Sequence, residues 1–210
     1  MDTKHKIMEA ALSLFAQKGY ANVYVGEIAD AVGIKAPSLY KHYKNKRAIF
    51  DAIIEELQTR YLAEASALQM NGNDVDADAL LFSSVSEEQL VEMGTTLFSY
   101  FLHDDYASRF RKMLTIEQFH DEELAALYDK QYVTEPLSYQ GMMLAMLTGQ
   151  GLLKHENTDI MALHFYAPLY LLLTVCDRNP SKEEEALKTL AEHIRQYNRI
   201  YSKNANLPTE

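Results

Sequence analysis

The chain is poor in cysteine, proline, glycine and tryptophan. Its 210 residues hold one cysteine, Cys176, and no tryptophan. A lone thiol excludes an intramolecular disulfide, and inside an apolar run it serves as a small hydrophobe. Five prolines and eight glycines are too few for a linker-rich or collagen-like chain. No apolar stretch of the signal-peptide kind opens the sequence. The longest apolar run, residues 165–176, is well short of the roughly 20 residues that a membrane span requires. A cytoplasmic protein with no membrane partner is therefore expected. Glycine-rich phosphate loops, Gly-x-Ser-x-Gly and zinc spacings are also missing, so neither an enzyme nor a cofactor is expected. Glu117 and His120 have the Glu-x-x-His spacing of carboxylate di-iron bundles. Such sites need a second motif and two further carboxylates, so no metal is expected.

Positive charge is scarce overall, with a formal net charge of -10, but it is unevenly placed. The first fifty residues hold eight cations (Lys4, Lys6, Lys18, Lys35, Lys41, Lys44, Lys46 and Arg47) against Asp2, Glu9, Glu27 and Asp30, a local balance of +4. The remaining 160 residues then carry −14. A basic head on an acidic body can meet a phosphate backbone locally while the body repels other contact. A chance cluster of surface lysines would give the same count.

Nearly half the residues are hydrophobic, enough for a core, and their spacing is helical throughout. A first helix is expected over Thr3–Lys18, with Ile7, Ala11, Leu14 and Phe15 inward and Gly19 closing it. A second covers Val25–Val32, Gly33 marks a turn, and a third covers Ala36–Tyr43 with Pro37 in its first turn. Asn45 suits the N-cap of a long fourth helix, residues 48–68. Residues 71–78 read as a polar acidic loop. Further helices are expected near 86–103, 105–119, 121–154 (broken at Pro136), 159–177 and 181–202, the last opened by a capping box from Ser181 to Glu184. Residues 204–210 read as a frayed tail. No strand pattern of useful length and no repeat appears. The fold class is all-α, with a helix-turn-helix head over 1–47 and a helical body over 48–210.

Two short helices meeting at a glycine, the second rich in cations and hydrogen-bonding side chains, suit a helix-turn-helix with one helix in a DNA groove. Ala29 lets the second helix approach the third. Ile34, Leu39 and Tyr43 face inward, which leaves Lys35, Ser38, Lys41 and His42 outward, where they can meet phosphates or base edges. A solvated surface is the alternative at each of these positions.

Gly19-Tyr20, Ile28-Ala29, Val32-Gly33-Ile34 and the run Ser38-Leu39-Tyr40-Lys41-His42-Tyr43-Lys44-Asn45-Lys46 together resemble the tetracycline-repressor (TetR-type) family of bacterial transcriptional regulators. The resemblance covers about the first 55 residues and implies a DNA-binding head on a divergent helical ligand domain. It implies that Lys35, Ala36, Pro37 and Ser38 open the recognition helix into the major groove. Tyr40 and His42 would contact phosphate or bases, with Lys41 on the same face, and Lys46 would bind a phosphate. Tyr40 packing against the first helix is the alternative. The family pattern places a serine or threonine cap before the second helix and a basic residue two positions later. Tyr24 and Gly26 stand there instead. Tyr24 either offers its hydroxyl to a phosphate or covers the first helix.

In the body, Leu187, Leu190, Ile194, Tyr197 and Tyr201 form one stripe, and the preceding helix, with Leu171, is apolar nearly all round. Either one subunit buries them, or two helices from each of two subunits form a four-helix dimer interface, as the resemblance implies. A two-fold dimer implies a pseudopalindromic operator. Met93, Phe98, Phe101, Met113, Tyr139, Met142, Met143 and Met146 are adaptable side chains suited to an apolar or aromatic small-molecule effector, with Glu117 and His120 as polar contacts. Simple core is the other reading of the same residues. The function expected is a ligand-responsive DNA-binding regulator, a repressor released by its effector. The alternative is a helical ligand- or protein-binding module that no longer reads DNA.

Overall fold

A computed structural model describes residues 2–203; the tail read as frayed, 204–210, lies outside the described residues. Among the described residues the structure is all-helical, with a single bridge pair, Leu153 with Ser202. The helices are α1 (Thr3–Lys18), α2 (Val25–Val32), α3 (Ala36–Leu39), α4 (Lys46–Ala67), α5 (Val75–Phe82), α6 (Glu87–His103), α7 (Asp105–Glu117), α8 (Glu122–Asp129), α9 (Glu135–Gly149), α10 (Thr158–Arg178) and α11 (Glu183–Tyr201).

The chain folds as two compact units. The first takes the residues up to Tyr61 together with Asp104–Tyr128. The compact body around the helix-turn-helix thus runs past residue 47, because Phe110, Met113 and Leu114 of α7 supply part of its core alongside Ile7, Leu12 and Phe15 of α1 and Phe50 of α4. Phe15, Tyr20, Phe50 and Phe110 form a chain of ring contacts 4.9 to 6.2 Å apart. Arg60 braces the other end. It bonds Glu56 at 2.9 Å and Asp104 at 3.1 Å, and it lies over the Tyr106 ring at 4.1 Å.

The second unit holds Leu62–His103 and the residues from Asp129 onward. Its core is Phe98 of α6, Leu173 and Cys176 of α10, and Ala186, Leu190 and Ile194 of α11. A second cluster gathers Leu144, Met161, Ala162 and Tyr197. Gly94 lets α6 and α11 close on each other, since a Cβ there would stand 2.5 Å from Ile194 Cδ1.

Several expectations change here. The stretch 71–78 is not loop throughout. Asp74 accepts from the Ala77 amide and starts α5 at Val75, and the buried Asp78 accepts from the amides of Asn71 (2.6 Å) and Gly72 (3.0 Å) and from the Tyr139 hydroxyl. The break expected at Pro136 comes before it. Proline has no N–H for the carbonyl four residues back, and its ring crowds that carbonyl. The chain widens into a π turn, Lys130–Thr134, in which the Glu135 amide reaches back to Lys130, and the freed carbonyl of Tyr132 accepts the Tyr166 hydroxyl at 2.9 Å. The capping box at Ser181 does not form. Asn179 accepts from the Ser181 amide and hydroxyl, and a 3₁₀ turn, Pro180–Lys182, precedes α11.

The stripe expected at a dimer interface is largely consumed within the subunit. Leu190, Ile194 and Tyr197 are buried against α6 and α10, so they are core, while Leu187 and Tyr201 are half-buried. Leu171, by contrast, is 60% exposed, on the same open side of α10 as Ile160 and Leu163. By length and composition α10 contains an 18-residue window, of mean hydropathy 1.5, that is apolar enough to cross a membrane, which the 165–176 run alone did not suggest. Its inner residues Met161, Ala162, Leu173 and Cys176 pack in this unit's core instead.

The effector candidates also divide. Met93, Phe98, Phe101, Tyr139, Met142, Met143 and Met146 belong to the second unit, and Met113, Glu117 and His120 to the first. Phe98 is fully buried core, so it lines no site as folded.

Asp78→Ala should lower unfolding stability by about 2–3 kcal/mol, because two amides and a hydroxyl lose one buried acceptor. Urea denaturation checks this, with the exposed Asp76→Ala expected to stay within about 0.5 kcal/mol of wild type.

Candidate nucleic-acid interface

The head is built from short helices whose inner residues are few and tightly held. α2 buries Ile28 and Ala29 completely. At its end Gly33 takes the left-handed conformation (φ 74°, ψ 28°), and the Ile34 amide returns to the Ala29 carbonyl at 3.0 Å. A side chain at Gly33 would meet nothing within 4 Å, so the glycine is there for its backbone angle rather than for space.

The start of α2 is held from an unexpected quarter. No serine or threonine caps it, but Glu27, three residues into the turn, accepts from the Tyr24 amide at 2.8 Å and from Lys18 Nζ at 2.6 Å. That is the return half of a capping box. Lys18 holds the Glu27 carboxyl below the usual carboxylate range. The Tyr24 side chain is 74% exposed, so it does not cover α1. The sequence signal for this cap was the glutamate at the third position rather than the residue at the cap itself.

α3 is shorter than expected. The regular helix ends at Leu39, and Tyr40–Tyr43 continues in tighter turns. The amides of Lys41 and His42 reach only three residues back, at 3.3 and 2.8 Å. Leu39 is fully buried and Tyr43 nearly so. The Tyr43 hydroxyl donates to the Lys4 carbonyl at 3.4 Å, and burial pushes its pKa up to about 12. These two anchors fix the segment. Lys35, Pro37, Tyr40, Lys41 and His42 then stand exposed, with Ala36 and Ser38 half-buried beside them. The structure thus brings seven of the eight sequence-named DNA candidates to one surface segment.

Lys46 is the exception, and its expected role changes. Its ammonium turns into the head and donates to the carbonyls of Tyr20 (2.8 Å), Val23 (2.9 Å) and Ala21 (3.4 Å), and it lies 4.4 Å from the centre of the Tyr20 ring. All three protons are used, which leaves none for a phosphate in this arrangement. Burial draws its pKa down, and the nearby Glu117 charge opposes that shift. Glu117 is itself buried at the end of α7. A Cβ on Gly19, whose φ is 81°, would collide with the Glu117 Oε1. Glu117 is therefore packed within the head, apart from the effector candidates of the second unit. His120 is exposed, with its Nδ1 on the Ile116 carbonyl at 3.1 Å. Asn45 accepts from the Ala48 amide at 2.8 Å and caps α4 as expected.

Lys46→Met should cost about 1–3 kcal/mol of stability, because it strands carbonyls that a charged donor now satisfies. Thermal and urea unfolding of the full chain check this. An unchanged midpoint would contradict the inward role.

Residues 7–53 match the family model of bacterial regulatory proteins, tetR family. The chain is 28% identical over 136 residues to the HTH-type negative transcriptional regulator IcaR of the biofilm operon icaADBC in Staphylococcus aureus; the match spans 62% of this chain and 72% of IcaR. Among solved structures it resembles SmeT, the repressor of the multidrug efflux pump SmeDEF of Stenotrophomonas maltophilia. The TM-score is 0.65 at 18% identity, over 100% of this chain and 96% of SmeT. It also resembles SmeT in complex with triclosan, with a TM-score of 0.67 at 19% identity, covering 99% and 97%. These structures share the fold over essentially the whole chain, and the head at residues 7–53 carries the family's own pattern. The head, residues 7–53, is that of the tetR family of bacterial regulatory proteins.

Proposed function

We propose that this protein is a cytoplasmic, homodimeric transcriptional repressor that leaves a pseudopalindromic operator when a small effector binds its body. The observation that carries the reading is the segment Lys35–His42. Leu39 and Tyr43 anchor it inside while its cations and hydrogen-bonding side chains stand in solvent. Ser38 and Lys41 read base edges, and Lys35, Tyr40 and His42 meet phosphate or bases, with Ala36 and Pro37 forming the close-approach surface. Lys46 acts indirectly, by holding the start of α4 to the α1–α2 loop. DNA reading falls to residues 1–47, and effector binding and dimerisation to 48–210.

The dimer face is the open side of α10, with Leu171, Leu163 and Ile160 exposed, and the half-buried Leu187 and Tyr201 of α11 at its margin. Leu190, Ile194 and Tyr197 support it from beneath. A pseudopalindromic operator requires the dimer to present its two recognition segments about 34–36 Å apart, one DNA turn. The effector is apolar or aromatic. Its contacts come from Met93, Phe101, Tyr139, Met142, Met143 and Met146 in the second unit. Release requires the effector to favour one state, and a shift from 1:99 to 99:1 takes about 5.5 kcal/mol of preference.

Footprinting the purified protein on the DNA flanking its own gene, at two salt concentrations, tests the reading. The expected result is a protected pseudopalindrome that weakens with salt, with Ser38→Ala costing about 1–3 kcal/mol at one operator position in each half-site. Absence of protection at low salt and across a genomic fragment library would favour a binding module that does not read DNA. The interface is tested separately. Leu171→Glu should leave the fold intact by circular dichroism but shift the mass in analytical ultracentrifugation from dimer to monomer. A dimer that persists in that variant would move the interface elsewhere.

A further inference from the structure

The start of α4 poses an electrostatic problem. A helix N-terminus carries partial positive charge, so cations in its first turn are unfavourable. α4 nevertheless opens with Lys46 and Arg47. Lys46 escapes by turning onto carbonyls. Arg47 stays at the surface, its side chain 48% exposed, and two carboxylates hold it. Its Nε donates to Asp51 one turn along the helix, at 2.6 Å. Its other arm donates to Glu123 in the first turn of α8. Asp121 adds charge at the same corner; together with Asp51 and Glu123 it raises the pKa of Tyr20, which burial raises most and Arg47 lowers.

Glu123 is 65% exposed, and ion pairs in water contribute little and exchange readily. A guanidinium presented to oxygen acceptors in this way is equally suited to phosphate. Arg47 follows the exposed Lys44 by three residues, at most about 11 Å of chain, so it stands at the edge of the cationic segment.

We propose that Arg47 is a backbone-phosphate contact of the DNA-bound state, and that Glu123 holds its guanidinium in the free protein as an internal stand-in for that phosphate. This rests on the DNA-binding reading above. Docking exchanges one oxygen acceptor for another and breaks no covalent bond. Neither partner reads a base, so the acidic corner lowers affinity for all DNA alike. It sets how tightly the head binds, not which operator it chooses.

The test titrates the full-length protein onto a random-sequence duplex of about three helical turns over a salt series. The variants are Arg47→Gln, Glu123→Gln, the double variant, and Glu122→Gln as an exposed control of equal charge, with a melting temperature for each. Glu123→Gln should tighten binding by up to about fivefold. Arg47→Gln should weaken it and flatten the log–log salt slope by about 0.9, one phosphate's share. The gain from Glu123→Gln should vanish in the Arg47→Gln background. A gain that persists there, or that Glu122→Gln reproduces, would reduce the effect to long-range charge and overturn the proposal. So would an unchanged slope for Arg47→Gln. A wild-type protein with no affinity for the duplex at low salt overturns the DNA-binding reading itself, and this inference with it.

Discussion

The head depends on where one ammonium goes. Three carbonyls of the α1–α2 loop point toward a common spot, and Lys46 Nζ fills it. Carbonyl groups converging away from bulk water repel one another unless a donor or cation joins them. Bringing a lysine there has its own cost, visible in the downward pull on its pKa, and the buried Glu117 offsets part of it. That single charge ties the end of α1, the start of α4 and the end of α7. It also explains the demand on Gly19, which must turn with φ 81° and leave the space beside Glu117 empty. With the loop fixed, α2 leaves it in one direction, Ile28 and Ala29 seat it, and the outward face of α3 follows.

Much of this could be read from residue spacing. The bounds of α1 and α2, the turn at Gly33, the cap at Asn45 and the inward pair Leu39 and Tyr43 each rest on local chemistry, and each stands as expected. Direction was harder to read than position. That Lys46 opens α4 is a local fact. That it points inward depends on carbonyls more than twenty residues earlier, which no pattern around Lys46 reports. The cap of α2 was missed for a related reason. Glu27 supplies it from inside the helix, so the unusual Tyr24 looked like a loss.

In the second unit, periodicity identified an apolar stripe on α11 but could not say what covers it. Leu190, Ile194 and Tyr197 meet α6 and α10 of their own chain, and the uncovered apolar side belongs to α10. Composition was equally silent on where the effector candidates lie. Methionines and aromatics at helical spacing carry no information on proximity, and Glu117 proved to belong to the head. The π turn before Pro136 is a more instructive case. The proline was legible as a break. Its effect was to free the Tyr132 carbonyl for the Tyr166 hydroxyl, which links α10 to the turn.

The charge distribution can now be understood by position rather than by count. Three cations outside the recognition segment are held by the protein: Lys18 by Glu27, Lys46 by carbonyls near Glu117, Arg47 by Asp51 and Glu123. Lys35 and Lys41 of the segment itself, and Lys44 just beyond it, are exposed. Sequence-independent affinity grows with the number of phosphates neutralised, whereas specificity comes from base edges. On the proposed DNA-binding role, holding flanking cations in internal contacts while exposing the central ones would keep the nonspecific share small. Discrimination would then fall to a few residues on one short segment. For a chain with a net charge of -10, that is a consistent way to select one duplex sequence without adhering to the rest.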